Sequence, residues 1–336
     1  MAFDLPMIWA AIIAFAVLAY VVLDGFDLGI GILFVVEHED KDRDMMVNSV
    51  APMWDGNETW LVLGGGGLFA MFPLAYAVIM PALYPVIIAM LLALVFRGVA
   101  FEFRFRTISR RGRQAWDLAF SAGSTVAALC QGLALGGLLQ GVKVANRAYA
   151  GGWWDWLTGF TILCGLAVVA GYALLGACWL IWRAEGPFQQ RCRRHARTLG
   201  VVVLAFIAVV SLWTPMLNPT FAQRWFGWPG VALTAPVPAL VALLAWAFWR
   251  ALSLKRDLTP FLCVLGWFVL CFAGLGISMY PLIVPPSVSI WQAAAPPASQ
   301  WFLLVGAIVL LPIILAYTGY SYWLFRGKVG RETHYH

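Results

Sequence analysis

Nine long apolar segments decide what this chain can become. They cover roughly 7–36, 48–79, 82–106, 116–140, 157–183, 198–217, 231–250, 260–283 and 300–325. A helix needs about 20 apolar residues to cross the hydrocarbon core of a bilayer, and none of these segments alternates polar and apolar residues as a barrel strand would. Of all residues, 62% are hydrophobic and 11% charged, where a soluble domain carries about 25% charged residues. The expected fold is an all-α polytopic membrane protein with nine transmembrane helices, a single integral membrane domain over residues 1–336. The second and third segments are almost continuous. The stretch M-P-A-L-Y-P at 80–85 is the expected turn between them, because proline disfavours helix at the residue before it.

Basic residues set the orientation, since cytoplasmic loops collect Lys and Arg. With the N-terminus on the periplasmic side, only Lys143, Arg147 and Arg224 fall in outer loops, and Arg97 lies inside the third segment. The other 18 of the 22 Lys and Arg, Arg331 included, fall on the inner side. A cytoplasmic C-terminus follows. The first ten residues hold no Lys or Arg, so no removable signal peptide is expected. The net charge of +6 follows from this topology and points to no nucleic acid. Outer loops rich in Trp, such as Trp153, Trp154 and Trp156, read as an aromatic belt in contact with lipid headgroups.

Acids inside the apolar segments are the chemically informative residues. Asp24 and Asp27 are three apart, as are Asp55 and Glu58, and that spacing puts each pair on one helical face. Counting from the expected helix starts, Asp24 and Asp27 lie about 26 and 30 Å along the first helix, Asp55 and Glu58 about 10 and 15 Å along the second. Both pairs then fall in the inner half of the bilayer. A charge near the bilayer centre costs about 2.5–3.5 kcal/mol on insertion scales, so these four acids are candidates for a proton or cation path. Arg97 and Glu102 read as a structural ion pair, Asp117 as an interfacial cap, and the acidic run at 37–44 as a solvated loop. Gly25 and Gly29 form a small-xxx-small pair suited to close helix contact.

The missing residues narrow the function. All four histidines, His38, His195, His334 and His336, fall in inner loops or the C-terminal tail, whereas membrane haems take His, Met or Cys ligands from the protein. Five of the six cysteines lie in apolar runs and none forms a CxxC. They read as packing residues, with no disulfide framework and no metal site. No Walker, dinucleotide-binding or HExxH motif occurs, and GGGG at 64–67 sits inside a helix. Taken alone, the residues suit a subunit that serves chemistry held elsewhere, a proton- or cation-coupled secondary transporter with acids near the midplane, or a scaffold.

Several stretches carry a resemblance. V-L-D-G-F-D-L-G-I-G at 22–31, N-S-V-A-P-M-W-D-G-N-E-T-W-L at 48–61, F-R-G-V-A-F-E-F-R at 96–104, G-G-L-L-Q-G-V at 136–142, M-Y-P-L-I-V-P-P-S at 279–287 and P-I-I-L-A-Y-T-G-Y-S-Y-W-L-F-R-G-K-V at 312–329 span nearly the whole chain in order. The chain resembles subunit II of the cytochrome bd-type quinol oxidases, including their cyanide-insensitive branch. The resemblance implies two four-helix bundles plus a peripheral helix. It implies a heterodimer with subunit I, which holds haems b and d, oxidises quinol and reduces dioxygen to water in the bacterial inner membrane. This chain would then bind no haem and would not be catalytic alone. A structural ubiquinone in this subunit and a small third single-helix subunit also come with the resemblance. So does a cytoplasmic proton-uptake path through Asp55 and Asp27, with Asp24 and Glu58 carried over less directly.

Overall fold

The computed structural model describes residues 3–329; Arg331, His334 and His336 lie outside the described residues. In chain order the elements are α1 (Leu5–Leu33), α2 (Asp40–Asn48), α3 (Trp54–Met71), α4 (Pro73–Arg106), α5 (Arg110–Gln140), β1 (Val144–Ala145), β2 (Ala148–Tyr149), α6 (Gly159–Arg183), α7 (Gly186–Leu217), α8 (Pro219–Phe226), α9 (Gly230–Thr234), α10 (Pro236–Ser253), α11 (Thr259–Met279), β3 (Leu282–Val284), β4 (Val288–Ser289), α12 (Ile290–Ala293) and α13 (Pro297–Leu324). The strands form two small antiparallel hairpins, β1–β2 and β3–β4. They lie in the loops of one end of the bundle.

Eight helical stretches are long and apolar enough to cross a membrane: α1, α4, α5, α6, α7, the α9–α10 stretch, α11 and α13. The ninth long helix, α3, has 18 residues. Its polar first turns and five glycines lower its hydropathy, and it runs antiparallel along α1. Helix ends are closed by side chains where the sequence supplies them. Asp4 accepts from the Met7 N–H, Ser109 from that of Gly112, and Thr158 forms a reciprocal capping box with Thr161.

Two sequence expectations about this region need correction. The break between the second and third helices falls at Phe72–Pro73, not at 80–85. Pro73 opens α4, where its missing N–H would have had no helical partner. Pro81 and Pro85 stay inside α4, as neighbouring helices in a membrane protein allow. The acidic run at 37–44 is not a solvated loop either. From Asp40 it winds into α2, with Asp42 and Met45 to Asn48 buried, and residues 49–53 turn the chain into α3. Asp55 and Glu58 are therefore the second and fifth residues of α3, nearer its start than a helix beginning at 48 would put them.

Helix α6 lies at the centre, packed on α1, α5 and α7. Phe26 of α1 stacks on Trp179 of α6 with ring centroids 4.3 Å apart. Below that stack the two backbones touch. A Cβ on Gly29 would lie 1.8 Å from the Tyr172 carbonyl oxygen, and one on Gly176 would lie 2.5 Å from the Gly29 carbonyl carbon. Close approach of this kind is what small residues contribute between membrane helices. At the other extreme, only 6% of the apolar window of α13 is buried, and α13 lies on the outside against α1 and α3.

Gly29→Ala is expected to force α1 and α6 apart and to remove most of the folded protein from the membrane fraction, because overpacking costs about 1–3 kcal/mol even where the backbone is free to yield. Gly306→Ala, whose new methyl would meet nothing within 4 Å, is expected to accumulate normally. Quantitative blotting of detergent extracts distinguishes the two.

Candidate functional site

Arg97 projects from α4 into the space between α1 and α3 and is 1% exposed. Its Nη2 lies 2.8 Å from Asp24 Oδ1 and 3.9 Å from Asp27 Oδ2, and its Nη1 lies 3.7 Å from Glu58 Oε2. The helical spacing of three brings Asp24 and Asp27 onto the face of α1 that meets α4. The indole of Trp54, at the start of α3, covers the guanidinium at 5.9 Å and itself stacks on Phe101 of α4. Four side chains from two helices, α1 and α3, thus meet around one cation from a third.

Asn57 completes the cluster. Its Nδ2 donates to Asp27 Oδ2 at 2.8 Å and reaches the Leu23 carbonyl at 3.3 Å. Its Oδ1 accepts from the Tyr322 hydroxyl of α13 at 2.9 Å. Asp24 and Asp27 are fully buried, whereas the Glu58 side chain is 28% exposed. Glu58 is therefore the outward limb of the cluster. One guanidinium cannot neutralise three carboxylates, and Asp27 Oδ1 is buried without a hydrogen-bond donor from the described residues. Burying a charge requires pairing, hydrogen bonding or protonation, and here three acids share one base.

Asp55 takes no part in that cluster. Residues three apart on a helix differ by about 60° around the axis, enough to turn Glu58 to Arg97 and leave Asp55 on the exposed outer face of α3 beside Gly56 and Thr59. The expected Arg97–Glu102 pair does not form. Five residues separate the two by about 140° around α4. Glu102 faces outward and meets Arg106 at 3.8 Å, both side chains more than half exposed.

A second charge network closes the basic end of the bundle. Arg104 is seven residues beyond Arg97 on the same face of α4. It donates to Asp117 and to Asp44, each at 2.5 Å. Asp44 also binds Arg113, and Asp117 binds Arg43 at 3.0 Å. Arg191 of α7 grips Glu37 and the buried Asp42, with His195 Nε2 3.5 Å from Glu37. Asp117 is thus an interhelical ion-pair residue rather than a cap. The seven-residue spacing of Arg97 and Arg104 was the readable sign of this network. No spacing pointed to Asn57 or Tyr322, since a lone polar residue in an apolar helix has no pattern. The described histidines, His38 and His195, sit at the basic end, so the bundle interior offers a haem no axial histidine. Among the described residues, no three His, Cys, Asp or Glu side chains gather as metal ligands.

The sequence profile described as cytochrome bd terminal oxidase subunit II matches residues 5–325. The chain belongs to that family. It is 30% identical to the cytochrome bd-I ubiquinol oxidase subunit 2 of Escherichia coli K12, over 98% of this chain and 96% of that protein. It is 29% identical to the cytochrome bd ubiquinol oxidase subunit 2 of Bacillus subtilis 168, over 97% of each. A chain in the structure of the bd oxidase from Geobacillus thermodenitrificans superposes with a TM-score of 0.78 at 17% identity, covering 96% of this chain and 99% of that one. At that identity the likeness speaks for the fold alone. As a member of the cytochrome bd subunit II family, the chain is a multi-pass protein of the bacterial inner membrane and part of a respiratory oxidoreductase complex, in which subunit I carries the haems.

Removing the cation isolates the buried acids. Arg97→Leu is expected to destabilise the subunit by about 3–5 kcal/mol, the usual effect of leaving a buried charge unpaired. Glu102→Gln, at an exposed pair, is expected to shift stability by less than about 1 kcal/mol. Thermal inactivation of the solubilised complex measures both.

Proposed function

We propose that this chain is the haem-free subunit of a quinol-oxidising, dioxygen-reducing oxidase, and that it delivers cytoplasmic protons toward the oxygen chemistry of subunit I. The observation that carries the reading is Arg97 holding Asp24 and Asp27 in the membrane interior with the partly exposed Glu58 beside them. A proton enters at Glu58 from the basic end and passes to the Asp24–Asp27 pair, where the single guanidinium keeps the negative charge from accumulating.

Asp55 has a separate part. An exposed carboxylate on a lipid-facing helix costs about 2.5–3.5 kcal/mol, so the outer face of α3 is covered by subunit I, and Asp55 hands protons across that contact. Gly56 beside it, and Gly65 and Gly66 about three turns further along α3, leave room for a neighbouring helix. Nine transmembrane helices follow once α3 is shielded in this way, with the N-terminus periplasmic and the basic end cytoplasmic, two four-helix bundles, and the weakly packed α13 as the peripheral helix. The chain has no oxidase activity without subunit I. Ubiquinol, the reductant in the relatives' names, is the proposed electron donor. A structural ubiquinone and a small third subunit rest on the family resemblance. Family membership does not favour the secondary-transporter alternative.

In the assembled complex, Asp24→Asn and Asp55→Asn are each expected to slow quinol-driven oxygen uptake at least tenfold with haem spectra unchanged, while Glu102→Gln keeps full turnover. Full turnover in both aspartate variants would end the proton-path reading.

A further inference from the structure

Asn57 is the point where the acid cluster meets α13. It is 1% exposed, as is Asp27. Three hydrogen bonds hold its amide. Nδ2 reaches the Leu23 carbonyl at 3.3 Å and Asp27 Oδ2 at 2.8 Å, and Oδ1 accepts from the Tyr322 hydroxyl at 2.9 Å. The Tyr322 ring is itself set edge-on against Phe26 and Trp179, with centroids 6.4 and 6.2 Å away. A second amide inside the bundle, Gln131, accepts from the Tyr172 hydroxyl at 2.5 Å and donates to that of Tyr20 at 2.9 Å. Asn57 instead reaches a carboxylate.

These partners leave the Asn57 amide one orientation. A backbone carbonyl only accepts, an amide nitrogen only donates, and a hydroxyl does either. The nitrogen therefore belongs on the side of Leu23. That places the amide oxygen toward Tyr322, whose hydroxyl has to donate to it. Turning the amide over would set its oxygen against both the Leu23 carbonyl and the Asp27 carboxylate. In the observed orientation both N–H groups are used, one on the backbone of α1 and one on Asp27.

The two oxygens of Asp27 are thus unequal. Oδ2 receives the Asn57 N–H and lies on the Arg97 side, 3.9 Å from Nη2. Oδ1 is buried with no hydrogen-bond partner among the described residues. A buried acceptor left without a partner is costly. An N–H aimed at Oδ2 also competes with a proton for that oxygen, whereas Oδ1 is open.

We propose that Asp27 takes its proton on Oδ1, and that Asn57, oriented by Tyr322 of α13, is the positioning residue that decides this by holding Oδ2 as the carbonyl oxygen. This rests on the proton-path reading given above. In the step, an O–H bond forms at Oδ1 with a proton arriving through the cluster, and the carboxylate charge is discharged. A helix with little packing of its own thereby sets the chemistry of a buried acid. The charged groups facing Asp27 are Arg97 from α4, Asp24 one turn earlier on α1 and, across the guanidinium, Glu58 from α3.

Infrared difference spectra between the oxidised and reduced assembled complex test this. Asp27→Asn identifies the carbonyl stretch of protonated Asp27 as the band it removes. A carbonyl that accepts a hydrogen bond absorbs at lower frequency than a free one. With the proton on Oδ1, the carbonyl oxygen is Oδ2, so Asn57→Leu frees it and moves the band to higher frequency. Tyr322→Phe keeps the ring, removes the donor to Asn57 and moves the band the same way by less. It also lowers quinol-driven oxygen uptake about two- to tenfold, the range of one neutral hydrogen bond. The Asn57→Leu, Tyr322→Phe double variant is no slower than Asn57→Leu alone, because Tyr322 works through Asn57. With the proton on Oδ2 the carbonyl oxygen is the already free Oδ1, and neither variant moves the band; that result overturns the proposal. Losses that add in the double variant would make Tyr322 a brace for α13 and overturn its positioning role. If Asp27→Asn removes no carboxyl band, Asp27 keeps one protonation state and its place in the proton path falls as well. Should Asp27→Asn or Asn57→Leu fail to assemble, judged by haem spectra, Tyr322→Phe decides alone, by whether it raises the frequency of a carboxyl band that heavy water lowers.

Discussion

One guanidinium organises the membrane interior of this subunit. Arg97 is the only cation close to Asp24, Asp27 and Glu58 among the described residues, and in a low-dielectric interior neither it nor they can be left alone. That mutual requirement pins α1, α3 and α4 to one another. Asn57 and Tyr322 extend the hold to α13, which has little apolar packing of its own. On the proposed proton-path reading, the uneven ratio of acids to base is the functional part: a balanced pair is a structural strut, whereas a surplus of buried carboxylates can hold a proton.

The rest of the fold serves that cluster from two sides. Toward the basic end, Arg104, Asp117, Asp44, Arg43 and Arg191 lock α2 across the mouths of α4, α5 and α7. Toward the core, the Gly29–Gly176 contact lets α1 and α6 approach closely enough for Tyr172, Gln131 and Tyr20 to link across three helices. Without that approach the amide would have only one phenol in reach.

Much of this was legible before any coordinates. Lipid cannot satisfy a polar backbone or a free carboxylate, so long apolar runs read as helices and acids within them as sites. The identity of Asp24, Asp27 and Glu58 as candidate site residues came from that rule, as did the close-packing reading of Gly29. What misled was local sequence taken without partners. Pro81 and Pro85 look like a turn, but α4 continues through them because neighbouring helices support it, and the break lies instead at Pro73, where a helix can begin. The acidic run before Met45 looks solvated because its basic partners, Arg191 and Arg104, are about 60 or more residues away in sequence. Arg97 and Glu102 look like a pair because they are close in the chain, yet the helical repeat points them apart.

The sequence by itself determined the class of the protein, the end of the helices that collects its basic residues, and which acids have to be explained. These depend on composition and on short-range periodicity, which any stretch of chain carries within itself. Only the tertiary structure decided that Arg97 joins the acids of α1 and α3, that Asp55 stays outside the cluster its neighbour Glu58 enters, and that a glutamine 111 residues from Tyr20 donates a hydrogen bond to its hydroxyl. Those choices turn on angles around helix axes and on contacts between distant segments. A rotation of about 60° along α3 is invisible in a string of letters, yet it separates a carboxylate in the cluster from one on the surface.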